Sequence, residues 1–231
     1  QEAVMPDKVT FVSIIAACGA EMDLQLGNQI HAIFIQNVKL QRDVFLWNAL
    51  VSMYGRCGDP EEAHKVFDRI PEKNDVSWNA LMAAYAQNGN SKESLYIFHQ
   101  METQITNLGK ATFSVLLSAC SHGGLVEYGH ICFHSMKKGY DIIPTLEHYT
   151  CLVDLVGRAG LVDKALVAVE AMPFIPNIVL WQIILGVCQT FGLKEYGGQA
   201  FWLQCNCLST RPSAYVHFSN IYVQDNIQYL G

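Results

Sequence analysis

The sequence predicts an all-α fold, a right-handed solenoid of stacked helix-turn-helix repeats, and three observations predict it. Trp47-Asn48-Ala49-Leu50 recurs as Trp78-Asn79-Ala80-Leu81, and the same offset of 31 carries Tyr54 onto Tyr85, Gly58 onto Gly89, Glu62 onto Glu93 and Phe67 onto Phe98. A longer offset of 102 carries Thr10-Phe11 onto Thr112-Phe113, Ala17-Cys18 onto Ala119-Cys120, Gly27 onto Gly129, and Gly55-Arg56-Cys57-Gly58 onto Gly157-Arg158-Ala159-Gly160. One residue of drift then brings Trp78 to Trp181 and Gly89 to Gly192. Within a unit the apolar residues recur with the helical period. A single hairpin cannot bury its apolar stripe alone, so tandem units must stack, with the first helices lining a concave side.

The elements follow in order. Asp59-Pro60-Glu61-Glu62 opens a helix: an N-cap acceptor, proline where its missing N–H costs nothing, and acids facing the positive end of the helix dipole. From Asp75, Trp78, Leu81, Met82 and Tyr85 fall on one apolar face, and Asn88-Gly89 ends the helix. Asn90 with Glu93 restarts a second helix in which Leu95, Phe98 and Met101 share a face. Ile178 to Cys188, broken by Gln182 and Gly186, is too short for a membrane span and reads as a buried helix.

Composition excludes several classes. The 231 residues are 51% apolar and 16% charged, which is a folded, soluble chain rather than a disordered or membrane-spanning one. A net charge of −6 argues against strong nonspecific attraction to phosphates but not against a reader of base edges. The eight cysteines include no C-x-x-C pair, so reduced thiols are expected and no metal or other cofactor is implied. Cys18 and Cys120 share a repeat position and read as small buried contacts. The chain begins at Gln1 without a methionine and reads as a fragment or processed piece, so a missing targeting peptide says nothing about compartment.

The segments Asp75–Gly109, Thr112–Gly129 and Glu147–Gly160 resemble the plant pentatricopeptide repeat family, in the subfamily that alternates long, short and standard motifs. The resemblance covers about residues 6 to 222. It implies an N-terminal flank at 1–7, a long motif at 8–43, a short motif at 44–74, a standard motif at 75–109, a long motif at 110–145 and a short motif at 146–177. A first extension motif follows at 178–211, and a partial, degenerate second one at 212–231.

Members of that subfamily bind single-stranded organellar RNA, in mitochondria or chloroplasts, and direct a cytidine deaminase to sites of C-to-U editing. The resemblance therefore implies RNA, a deaminase protein acting in trans and other organellar editing factors as partners. The family reads bases with the fifth and last residues of each motif. Here these are Asn48 with Asn74, Asn79 with Gly109, and Thr150 with Asn177, with weaker contributions from Val12 with Asp43 and Ser114 with Thr145 in the long motifs. An amide at the last position can donate to an unprotonated ring nitrogen, while threonine at the fifth leaves room for a purine. Asn48/Asn74 should prefer C and tolerate U, and Thr150/Asn177 should prefer A. Gly109 has no side chain, so Asn79 alone should be a weak pyrimidine reader.

Rival expectations come from the same residues. Trp47, Trp78 and Trp181 could stack on bases, but their place on the apolar face makes them core. Lys137-Lys138 reads as a solvated turn. No histidine is followed two residues later by glutamate, so the zinc deaminase signature is missing and the chain is expected not to be an enzyme. The alternative is a protein-binding scaffold of tetratricopeptide type, which shares the hairpin and does not require RNA.

Overall fold

The computed structural model describes residues 7–104 and 108–207, with side chains as far as Trp202. Among the described residues there are twelve α-helices, one 3-10 turn at Leu40–Arg42 and no strand. The chain divides after Gly123 into two compact units. The 212–231 segment lies outside the described residues, as do the side chains of Cys205 and Cys207.

The first unit holds α1 (Lys8–Glu21), α2 (Leu24–Gln36), α3 (Val44–Arg56), α4 (Pro60–Asp68), α5 (Asp75–Gln87), α6 (Ser91–Gln104) and α7 (Lys110–Gly123). α3 packs on α1 and α5, α5 packs on α7, and α2, α4 and α6 fold back on the helices that precede them. The start of α4 matches its sequence: Asp59 accepts the Glu62 N–H at 2.9 Å, and Pro60 is the first helical residue. Aromatic contacts repeat along the stack. Phe34 of α2 meets the edge of Trp47 on α3 with ring centroids 4.8 Å apart, and Phe67 of α4 meets Trp78 on α5 at the same distance. Trp47, Trp78 and Trp181 are buried, so these three are core as expected, whereas Trp202 is exposed.

The buried face of α6 differs from expectation. It is Ser91, Ser94, Ile97, Phe98 and Met101, with Leu95 only half-buried. Ser94 holds a core position because its hydroxyl donates to the Met82 carbonyl at 3.0 Å, satisfying a polar atom that would otherwise be costly to bury.

The second unit holds α8 (Val126–Gly139), α9 (Leu146–Arg158), α10 (Val162–Glu170), α11 (Ile178–Phe191) and α12 (Lys194–Cys207). α9 packs on α8, α10 and α11, and α11 packs on α12. Val153, Val156, Leu166, Leu180, Trp181 and Ile184 are among the residues of its core. Lys137 and Lys138 are exposed as expected, but they lie in the last turn of α8 rather than in a loop, where cations complement the helix dipole.

The turn between helices needs a left-handed residue. Gly58 (φ 86°) and Gly89 (φ 78°) supply it in successive hairpins, at no steric cost. Met22 takes the equivalent place after α1, with φ 54° and its side chain exposed. No helix among the described residues is long and apolar enough to cross a membrane.

Candidate nucleic-acid interface

The first turn of α5 shows how the expected reading residues are held. Asn74 is the N-cap: its Oδ1 accepts the Ser77 N–H at 3.0 Å and the Ser77 hydroxyl at 3.0 Å. The Asn74 N–H in turn donates to Ser77 Oγ at 3.3 Å, closing a capping box. A backbone N–H can only donate, so the cap fixes which end of the Asn74 amide is oxygen. The Nδ2 donors of this exposed residue therefore face away from the helix.

Asn48, on α3 one repeat earlier, donates its Nδ2 to the same Asn74 Oδ1 at 3.4 Å. The structure thus brings the fifth and last residues of this motif together. It leaves Asn48 Oδ1 buried without a partner, in a residue that is 6% exposed. Asn79 repeats the feature: it is half-buried on α5, with its Oδ1 buried and unpartnered. Such an orphan acceptor is costly unless water or a ligand donates to it.

The other positions are held differently. Gly109 precedes α7, exposed, and its carbonyl accepts the Thr112 N–H at 3.1 Å. Asn177 caps α11 by accepting the Leu180 N–H at 3.0 Å. Thr150 spends its hydroxyl proton on the Leu146 carbonyl at 2.8 Å, which leaves its oxygen as an acceptor. Of the long-motif residues, Val12 is half-buried and Ser114 buried. Asp43 caps α3 through Phe45 N–H and is paired with Lys8, while Thr145 begins α9 with its N–H donated to His148 Nδ1 at 2.9 Å. The Asp43 carboxylate, as acceptor, and Thr145, as donor, are both committed to the fold.

Two sets of residues escaped the sequence reading. Val9, Phe45, Val76 and Val179, each the second residue of its helix, are exposed by 71%, 55%, 51% and 49%. Singly they would need no explanation, but recurrence at one repeat position is a pattern. At α7 and α9 the same place holds Ala111 and Glu147. The second set is Ser77, Thr112 and His148, polar third residues of their helices that are fully buried. A scan for capping boxes, with N-x-x-S at Asn74 and T-x-x-H at Thr145, would have marked two of them.

Cys151, next to Thr150, has its thiol pushed up to about 11, first by burial and then by Glu147 and Asp154, so it stays protonated near neutrality. Among the described residues no group of three or more His, Cys, Asp or Glu side chains could hold a metal ion, and the six cysteines with described side chains are free.

Helical hairpins packed one on the next within each unit define a helical-repeat protein. The PPR repeat family model matches residues 73–122, and the PPR repeat model matches residues 45–75 and 111–139. The chain belongs to the pentatricopeptide repeat family. A mitochondrial pentatricopeptide repeat-containing protein of Arabidopsis thaliana is 38% identical over 94% of this chain and 47% of its own length. A second mitochondrial one is 35% identical over 96% of this chain and 40% of its own length. The chain spans less than half the length of these curated relatives. Among solved structures, the pentatricopeptide repeat protein PPR10 in complex with an 18-nt PSAJ RNA element superposes with a TM-score of 0.78 at 20% identity, over 95% of this chain and 33% of that one. The crystal structure of the pentatricopeptide repeat protein PPR10 from maize gives a TM-score of 0.61 at 22% identity, over 97% of this chain and 34% of that one. These likenesses show the fold, an α-solenoid of stacked helix-turn-helix repeats.

Proposed function

We propose that the chain binds single-stranded RNA sequence-selectively, taking about one base per repeat through the fifth and last residues of each motif. The observation that carries this reading is the Asn48–Asn74 pair: an outward amide donor beside a buried acceptor with no partner. A cytosine edge fits both, since its N3 accepts from Asn74 Nδ2 and its exocyclic amine donates to Asn48 Oδ1. The exposed apolar side chains of Phe45 and Val76 offer flanks for a base plane on either side of such a pair. At the last short motif, Thr150 Oγ1 accepts from the adenine amine and Asn177 Nδ2 donates to adenine N1. With a net charge of −6, affinity comes from base edges more than from phosphates.

In this reading the protein is a specificity factor for C-to-U RNA editing in an organelle, acting with other editing factors and leaving deamination to a protein supplied in trans. The division into long, short and standard motifs, with the first extension motif over α11 and α12, belongs to the same proposal. The mitochondrial names of two relatives favour that organelle over the chloroplast. Selection from a random single-stranded RNA pool tests the binding claim. Enrichment of C opposite the 44–74 motif and A opposite the 146–177 motif is expected. An unenriched pool, together with saturable binding of a helical peptide, would establish the scaffold alternative instead.

A further inference from the structure

The third residue of a repeat's first helix sits where the preceding repeat ends, and the buried polar side chains found there differ in what they touch. Ser77 Oγ accepts the Asn74 N–H and donates to Asn74 Oδ1, so one hydroxyl holds both the backbone and the amide of the expected reading residue. Thr112 is equally buried, at 0% exposed, yet its Oγ1 has no partner. The residue three before it is Gly109, which has no side chain to offer. Before α11 the third residue is Leu180, so Asn177 takes only a backbone N–H.

We infer that Ser77 is a positioning residue for base selection by the repeat before its own, and that Thr112 is the same device left idle by Gly109. This rests on the RNA-reading proposal above. The physical reason is amide orientation. Discrimination of C from U requires that Asn74 present a donor and not its carbonyl, and a base with N3–H would reward the flipped amide. Every donor committed to Oδ1 opposes that flip. The hydroxyl of Ser77 adds one such donor and ties the Asn74 backbone at the same time. Space exists to complete the idle copy: a Cβ on Gly109 meets nothing within 4 Å, and its backbone is not in the left-handed region.

The experiment measures the ratio of affinities for two oligonucleotides that differ only in C or U opposite one motif, at fixed salt. Opposite the 44–74 motif the wild type should prefer C, and Asn74→Ala should lower the preference to the share that Asn48 supplies. Ser77→Ala should lower the ratio about five-fold, roughly the effect of one hydrogen bond, and Ser77→Thr should restore it. Loss of folded protein would lower both affinities and leave the ratio alone. Opposite the 75–109 motif, Gly109→Asn should raise the ratio by a similar factor, and adding Thr112→Val should remove the gain. This second arm is a gain of selectivity that damage to the fold cannot imitate. If the wild type shows no base preference, or Asn74→Ala keeps it undiminished, the RNA-reading proposal fails and takes this one with it. If Asn74→Ala lowers the preference while Ser77→Ala keeps it, or Gly109→Asn gains selectivity regardless of Thr112, the positioning role alone is overturned.

Discussion

At the junction of α3 with α5, a Cβ on Gly55 would lie 2.5 Å from Ala84 Cβ and 2.7 Å from its Cα. At the repeat-equivalent junction of α9 with α11, in the other unit, a Cβ on Gly157 would first meet the Val187 side chain, with Cγ2 at 2.9 Å. The contrast continues along both helices. Asn88 spends its two amide hydrogens on the carbonyls of Gly55 and Ala84, each at 2.7 Å, tying the ends of α3 and α5 together. The equivalent residue after α9 and α11 is Phe191, half exposed, whose ring rests near Gly160. One junction is backbone against backbone with a polar clasp, and the other is side chain against backbone. The same repeat thus supports two degrees of tolerance, and the tighter one carries Asn48 and Asn74.

The largest break in this comparison should come from Gly55→Ala. The added methyl meets main chain, which cannot rotate away, so the helices must separate and about 3 kcal/mol of stability should be lost. Gly157→Ala should cost about half as much, because Val187 can change rotamer. Thermal melts of both variants check this; equal losses would mean that the α3–α5 approach is no tighter than its counterpart.

A second asymmetry is chemical. Tyr54 on α3 donates to Asn28 Oδ1 at 2.8 Å and lies 2.8 Å from His31 Nδ1, whereas the repeat-equivalent residue on α9 is Val156. Burial, then the charges of Glu62 and Asp59, push the Tyr54 hydroxyl up to about 12 from its ordinary 10. The folded state therefore favours the neutral phenol. Its contribution is present in full below pH 10 and is lost as pH rises through 12, on the order of 2 kcal/mol for the shift. An alkaline titration of unfolding should show this step, and Tyr54→Phe should flatten it between those pH values. Persistence of the step in the variant would assign it to another group.

Asn88→Ala should follow, at about 1.5 kcal/mol for two hydrogen bonds whose carbonyls regain water only in part. Phe191→Ala, at the matching place, should change stability by less than half of that, since much of its ring is already solvated. Denaturant unfolding of the pair decides it.

Much of the fold was legible because repetition multiplies a weak local signal. One Trp-Asn-Ala-Leu is a fragment of any helix, but two at a fixed offset, with glycine carried along, define a hairpin and its turn. What escaped was whatever depends on a neighbour across the stack. Ser94 reads as a surface residue of α6 until the Met82 carbonyl beside it is known. Met22 reads as helix interior or core, and only the backbone reveals it as a left-handed turn residue. Ser77 and Thr112 look interchangeable in sequence, and the difference between them lies three residues upstream, in a neighbouring repeat. The candidate site was legible as positions, while the donor and acceptor commitments that give those positions meaning were not.

The smallest expected effect tests the looser junction as a reader. Asn177 takes one backbone donor and Thr150 presents an acceptor, which together suit adenine. Changing Thr150→Asn with Asn177→Asp keeps the helix cap, because aspartate accepts the Leu180 N–H as asparagine does. It replaces the outward donor by an acceptor, which uracil N3–H can satisfy and adenine N1 cannot. Preference should move from A to U by about 1 kcal/mol, the net worth of one hydrogen bond. Binding of oligonucleotides that differ only at that base, measured for both proteins at one salt concentration, reads the change. Because the cap survives, a variant that weakens equally toward A and U would show that Thr150 and Asn177 serve only the helix they begin, and that base selection lies elsewhere in the repeat.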